Sequence, residues 1–279
     1  MNSCSDLRNP EWNKPEVLRR KPLRAYHPHK SSTREGTLPP EPPKLRAGHE
    51  WHERDRVAEY ITRTDRQAAD RAEAFRLMAR LILQDVTSPL SVLDIGSGHG
   101  VAVAGILDRF PNATAIGLDI SEAMMAEGAR RMERFGDRFR YVVGDFADGV
   151  LPVELSGEGQ FDAVVSARAI HHLPGPLMAT LYSTIYDRLA PGGCFFNLDT
   201  ADPESFILDT VYRSAGTDRE KDSGRRRTEE DFDRRKVETH RDAPLRAHLD
   251  WLESAGFQAV DCFWKNLSLA LIGGYKSVI

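Results

Sequence analysis

Cysteine is scarce in this chain of 279 residues: Cys4, Cys194 and Cys262 are odd in number and far apart, with no CxxC pair and no histidines at ligand spacing. A disulfide framework and a zinc site are therefore not expected, and neither is any other bound metal. Long apolar runs are missing as well. None approaches the roughly eighteen residues that a membrane span requires, so no membrane partner is expected. Charge of one sign is also lacking, since the formal net charge is only -4, too near balance to announce a polyanionic partner. Met1 to Lys30 mix acids with bases around no apolar centre, unlike a secretory leader, and a cytoplasmic address is the default expectation.

Periodic apolar residues are sparse over the first fifty positions, which hold eight prolines and ten basic against six acidic side chains. Residues 1–50 are expected to be an extended or disordered Pro-rich basic arm. Its charges are scattered singly rather than in a run, so a solvated or self-packing tail is favoured over a nucleic-acid contact.

What the chain does have begins after that arm, with 41% hydrophobic residues overall to fill a core. From Arg54 to Leu83, Val57, Tyr60, Ile61, Ala68, Phe75 and Met78 recur at three- and four-residue steps, predicting a long amphipathic helix with a break near Thr62 to Thr64. Residues 51–90 are assigned to an N-terminal helical cap. Short apolar runs at 91–95, 114–118, 139–143, 161–167 and 193–198 then alternate with helical stretches at 100–110, 121–135 and 176–190. Such alternation predicts a mainly parallel sheet covered by helices on both faces. Ser121 is read as an N-cap and Pro176 as a first-turn residue, and Pro191, Gly192 and Gly193 are expected to stop the following helix. Residues 201–243 form a charged insert, with Arg225 to Arg227 and Arg234 to Lys236 interleaved with acids, and are read as a lid. A helix from Leu245 to Ala255 and two strands turning around Lys265 and Asn266 close a domain that runs over 51–279, with a last strand antiparallel to the others.

The stretch "SVLDIGSGHG", Ser91 to Gly100, carries three glycines at alternate positions just after a strand. A backbone that bare lets a ligand approach main-chain atoms, and the helix that follows offers free N–H groups, so a nucleotide-like cofactor is implied. A dinucleotide dehydrogenase would require G-x-G-x-x-G, but Gly96, Gly98 and Gly100 follow G-x-G-x-G, with Val101 at the place of the third glycine. Asp94, two residues before the first glycine, would face a diphosphate unfavourably and an ammonium group favourably. A cofactor bearing a cation fits better. Asp119, twenty-one residues beyond Gly98, ends the second strand where a carboxylate can take both hydroxyls of a ribose. Asp145 ends the third, suited to an exocyclic adenine amine, with Phe146 available to the ring; the competing reading is that Asp145 only caps a turn before Gly149.

Five motifs in order, "VLDIGSGHG", "GLDIS", "GDFADG", "FDAVVSARAIHHL" and "LAPGG", resemble those of the class I S-adenosylmethionine (SAM) dependent methyltransferases, and "WLESAGF" with the final strand pair is similar to that family's tail. The resemblance covers roughly residues 51–279. It implies a Rossmann-like, seven-stranded, mainly parallel α/β sheet and SAM as cofactor. Asp94 with Gly96, Ser97, Gly98 and Gly100 would hold the methionine amino and carboxylate groups, Asp119 the ribose, Ile120 the adenine face, and Asp145 with Phe146 its edge. Ala167 and Arg168 would lie near the sulfonium, while Gly100 serves helix packing equally well. His171 and His172, where the acceptor should approach, are candidate bases. Tyr60 and Arg63, with Trp51 and His52 beside them, and Phe206, Tyr212 and Arg213 in the insert, are candidate acceptor contacts, each with packing as a competing role. No NPPY-like stretch follows the fourth strand, which points to methylation of a small molecule at oxygen, nitrogen or carbon. Other SAM chemistry, such as carboxyl transfer or cyclisation of the aminobutyrate chain, methylation of nucleic acid, and SAM binding without catalysis are the alternatives. The expected assembly is a monomer or a homodimer.

Overall fold

The computed structural model describes Trp51, residues 54–222 and residues 243–279. The proline-rich arm, His52 and both basic runs of the insert lie outside the described residues. Seven strands form one sheet: β1 (Leu90–Ile95), β2 (Ala113–Asp119), β3 (Phe139–Val143), β4 (Phe161–Ala167), β5 (Leu189–Thr200), β6 (Gln258–Asn266) and β7 (Leu269–Tyr275). Their order is β3-β2-β1-β4-β5-β7-β6. The pairs β1–β2, β2–β3, β1–β4 and β4–β5 are parallel, and β7 runs antiparallel to both β5 and β6. The chain moves outward from β1 through β2 and β3, then returns to start β4 on the other side of β1. The carboxyl ends of β1 and β4 therefore flank the point where the order reverses, which is where such sheets leave a crevice.

The central strands are apolar on both faces because helices cover both. Val92, Ala163, Val165, Phe196 and Leu198 face one core, which α2 (Ala68–Leu81) and α3 (Val101–Arg109) close with Met78, Val103 and Ile106. Leu93, Ile95, Val164 and Phe195 face the other, closed by α5 (Gly175–Arg188) and α7 (Leu245–Ser254) through Met178, Tyr182, Ile185 and Leu252. The remaining α-helices among the described residues are α1 (Arg54–Arg66), α4 (Glu122–Met132) and α6 (Phe206–Asp222).

Ser121 caps α4 as its sequence position suggests: its hydroxyl accepts from Met124 N at 3.2 Å and donates to Trp51 O at 2.5 Å. One fully buried oxygen thus ties Trp51, ahead of the first helix, to the second βα turn. Ser121→Ala removes both bonds, and urea titration should give a loss of about 1–2 kcal/mol.

Three local expectations are corrected. The long N-terminal helix breaks at Gln67, not at Thr62 to Thr64, because both threonine hydroxyls fold back onto carbonyls of their own helix, Ala58 O and Tyr60 O, and stay helical. Pro191, Gly192 and Gly193 do not end α5, which stops at Arg188; they form a bulge in β5, where the pairing jumps from Phe161–Leu189 to Ala163–Cys194 and Gly192 takes φ +77°. The β6–β7 turn falls at Leu267 and Ser268, beyond Lys265 and Asn266, with Leu267 at φ +54°. The ends of the insert meet: Asp202 N donates to Ala243 O at 2.9 Å, and Asp202 bridges Pro244.

Candidate active site

The loop leaving β1 uses its three glycines for three different reasons. Gly96, at φ +65°, has Ala169 so close that an added Cβ would collide with its methyl group. Gly98, at φ +54°, has nothing within 4 Å of the position a Cβ would take, and it lines a cavity at the carboxyl edge of the sheet. Gly100, at φ +83°, backs onto Met132, whose Sδ would stand 2.8 Å from an added Cβ. It is not among the cavity-lining residues, so its role is packing of loop against helix.

Acidic side chains from three strand ends face this cavity. Asp94 is 1% exposed. Its Oδ2 accepts from Ser97 Oγ at 2.9 Å, while Oδ1 is buried with no hydrogen-bond partner. Burial pushes its pKa up to about 7 and the nearby Asp119 charge adds to the rise, while the Ser97 hydroxyl and the Val103 backbone N–H oppose it. Asp119 is held by main chain, its Oδ2 accepting from Gly98 N at 2.7 Å and its Oδ1 from Ser121 N at 2.8 Å. That grip joins the end of β2 to the glycine loop. Asp145 Oδ1 accepts from Ala147 N at 2.8 Å, so it does organise a turn, yet it also lines the cavity together with Ile120 and Phe146.

The end of β4 supplies the opposite wall through Ala167, Arg168, Ala169 and His172. Arg168 sits at φ +60°, a conformation that a residue with a Cβ adopts only at a cost. The two adjacent histidines separate. His172 lines the cavity with its ring edge-on to Trp51 at 5.9 Å, and Trp51 in turn packs on Tyr60 at 4.9 Å. His171 is 3% exposed and lies outside the lining, its Nδ1 2.6 Å from Asp199 Oδ1 and its backbone N donating to Asp199 Oδ2 at 3.1 Å. Burial opposes ionisation of Asp199, but His171 and Arg168 outweigh it and hold the carboxyl well below the usual range. The rings of His171 and His172 are 4.2 Å apart.

Among the residues expected at the acceptor, Trp51 and Tyr60 line the cavity, His52 lies outside the described residues, and four others do not line it. Arg63 lies with its guanidinium 5.3 Å from the Tyr60 ring centre, Phe206 is 83% exposed, Tyr212 accepts from Lys265 Nζ at 3.0 Å, and Arg213 pairs with Asp209 at 3.1 Å. The cavity also takes side chains that the motifs do not point to. From α1 and α2 come Thr64, Asp65 and Arg71, and from the glycine loop His99. Arg71 stands in step with Ala74, Phe75 and Met78 on the inward helix stripe; a base in that apolar row was the available signal. Burial, with Arg131 adding, brings the His99 pKa down to about 4, so the ring is neutral at pH 7.

Comparison with known proteins follows the same ground. The family described as a methyltransferase domain matches residues 92–193. Trans-aconitate 2-methyltransferase of Deinococcus radiodurans is 37% identical over 103 residues, which cover 37% of this chain and 34% of that protein, so the chain spans about a third of that relative's length. Human N-acetylserotonin methyltransferase, solved in complex with SAM, superposes with a TM-score of 0.59 at 15% identity, covering 85% of this chain and 60% of that one. An O-methyltransferase family protein from Burkholderia thailandensis gives 0.56 at 16% identity, over 76% and 58%. At these identities the solved structures speak for the fold, and the sequence match speaks for the strand ends that build the cavity. Residues 92–193 therefore match a methyltransferase domain, and they lie on a Rossmann-like sheet.

Proposed function

We propose that the protein binds SAM in the cavity over β1 and β4 and transfers its methyl group to an oxygen, nitrogen or carbon atom of a small molecule. One observation carries the reading: an orphaned, buried carboxylate oxygen on Asp94 beside a glycine, Gly98, whose missing side chain leaves open space. The first calls for a cation, and the second lets a ligand reach the main chain. Bound SAM supplies an electrophilic methyl on a sulfonium.

The chain's own residues account for the rest. Asp94 receives the ammonium group of the aminobutyrate arm. Asp119, held at the end of β2 by Gly98 N and Ser121 N, accepts the ribose hydroxyls, and Asp145, Ile120 and Phe146 surround the adenine. Trp51 and Tyr60 close the far side, so α1 and α2 act as a cap that keeps water away from a reaction in which charge disappears. His172 takes the acceptor's proton where one must leave, and His171, gripped by Asp199, fixes the turn that carries it. The insert whose ends meet at Asp202 and Ala243 is assigned as the lid, and the acceptor is a small molecule rather than nucleic acid. Cytoplasmic location and a monomer or homodimer complete the reading.

Titration calorimetry with SAM and with S-adenosylhomocysteine tests the binding half, and mass analysis of candidate acceptors tests the transfer. His172→Ala should lower kcat about 10²- to 10⁴-fold while leaving the S-adenosylhomocysteine Kd within about twofold. Absence of binding to the wild type would remove the proposal; loss of binding in the variant would move His172 from proton transfer to cofactor holding.

A further inference from the structure

We propose that Arg71 and Arg168 form a carboxylate-binding pair in the cavity wall. Resting on the methyltransferase reading only for the name of the ligand, the pair takes either the carboxylate of the cofactor's aminobutyrate arm or that of an acidic acceptor. Both arginines line the same cavity, one from α2 and the other from the end of β4. Arg71 is 9% exposed and donates from Nη2 to Thr64 O at 2.7 Å. The Nε of each arginine is buried without a hydrogen-bond partner. Two planar, always-charged groups with unmet donors in one enclosed space form an incomplete site, because a buried guanidinium is costly until an oxyanion completes its fork. They also feel each other: burial first, then Arg168, depresses the Arg71 pKa.

Among the described residues no carboxylate ion-pairs with either group. Asp65 lines the same wall, but both its oxygens accept from Arg131 at 2.9 Å. Asp199 lies within electrostatic reach of Arg168, but its oxygens are engaged by His171 and Thr200 N. The left-handed backbone of Arg168 agrees with a side chain kept for a ligand at a conformational cost. A planar oxyanion with two acceptor oxygens matches two forks better than a phosphate would, since Asp65, which lines the cavity within electrostatic reach of Arg71, repels a second negative charge.

The test compares wild type, Arg71→Met, Arg168→Met and Arg168→Gly by calorimetry with SAM, decarboxylated SAM and, on enzyme saturated with S-adenosylhomocysteine, citrate as a carboxylate probe. Arg168→Gly relaxes the φ +60° backbone, so its Tm should equal or exceed that of the wild type, which keeps the test independent of folding. If the cofactor's carboxylate is the ligand, wild type prefers SAM over decarboxylated SAM by about tenfold or more, and the preference disappears in all three variants. If the carboxylate belongs to the acceptor, the two SAM forms bind alike and citrate binds wild type but none of the variants. Either result supports the pair. Variants that keep the SAM preference of the wild type and its response to citrate overturn it. Failure of SAM itself to bind wild type would instead strike the methyltransferase reading, with the pair then judged on citrate added to the unliganded protein.

Discussion

Asp94→Asn is expected to give a ligand-free protein that melts above the wild type at pH 8 and binds S-adenosylhomocysteine about a hundredfold or more weakly. The carboxyl is 1% exposed, with one oxygen unpartnered and a pKa raised from 3.8 to about 7. An acid whose folded pKa lies above its unfolded one holds its proton longer in the fold, so it costs nothing below about pH 4 and costs increasingly as pH rises through 7. At one pKa unit per 1.36 kcal/mol the full penalty is on the order of 4 kcal/mol. The amide carries no charge, and its unmet N–H group returns about 1–3 kcal/mol of that gain. A cationic ligand reverses the logic, because an ammonium group beside Asp94 pulls its pKa back down and the wild type releases a proton on binding. Affinity for S-adenosylhomocysteine should therefore climb between about pH 5 and 7.5 in the wild type and stay flat in the variant. Melting curves at pH 5 and 8, with titrations in two buffers of different ionisation heat, read both effects. A stability difference between the two proteins that is the same at both pH values would sink the account.

The strand ends were legible because their chemistry is written in short contiguous stretches. A buried parallel strand is a run of apolar residues, and the polar group that terminates it marks the crevice, so Asp94, Asp119 and Asp145 announce themselves by position. Arg71 does not. A base on a helix ordinarily lies on the solvated face, and only its spacing from Ala74 and Phe75 separates it from the exposed Arg66 and Arg76. His171 and His172 show the finer limit. They are neighbours on one 3₁₀ turn, and which of them meets the cavity is decided by Asp199, twenty-eight positions later, reaching back for the first. The insert shows a coarser one: the aromatic and basic residues at 206–213 carry no local mark of whether α6 leans over the cavity, and Tyr212 meets Lys265 while Arg213 meets Asp209.

The glycine loop yields the second large effect, a contrast between two substitutions two residues apart. Gly96→Ala is expected to cost roughly 2–5 kcal/mol, from about 1–2 for an alanine in the left-handed region and about 1–3 for forced overpacking. Its new methyl meets that of Ala169, itself only 7% exposed, and neither has a rotamer by which to yield. For a domain of this size the Tm should fall by about 10 °C. Gly98→Ala has the same backbone penalty and no collision, since nothing lies within 4 Å of its Cβ. It should fold with a Tm lower by only about 2–5 °C, while its methyl occupies ligand space and S-adenosylhomocysteine binding falls by about two orders of magnitude. Ala169→Gly placed on Gly96→Ala removes the partner in the clash and should restore the overpacking share of the loss, leaving only the backbone penalty; on Gly98→Ala the same change restores nothing. If Gly96→Ala and Gly98→Ala instead lost stability and binding in equal proportion, the loop would be acting as one flexible unit, and its division into a packing glycine and a ligand-facing glycine would be wrong.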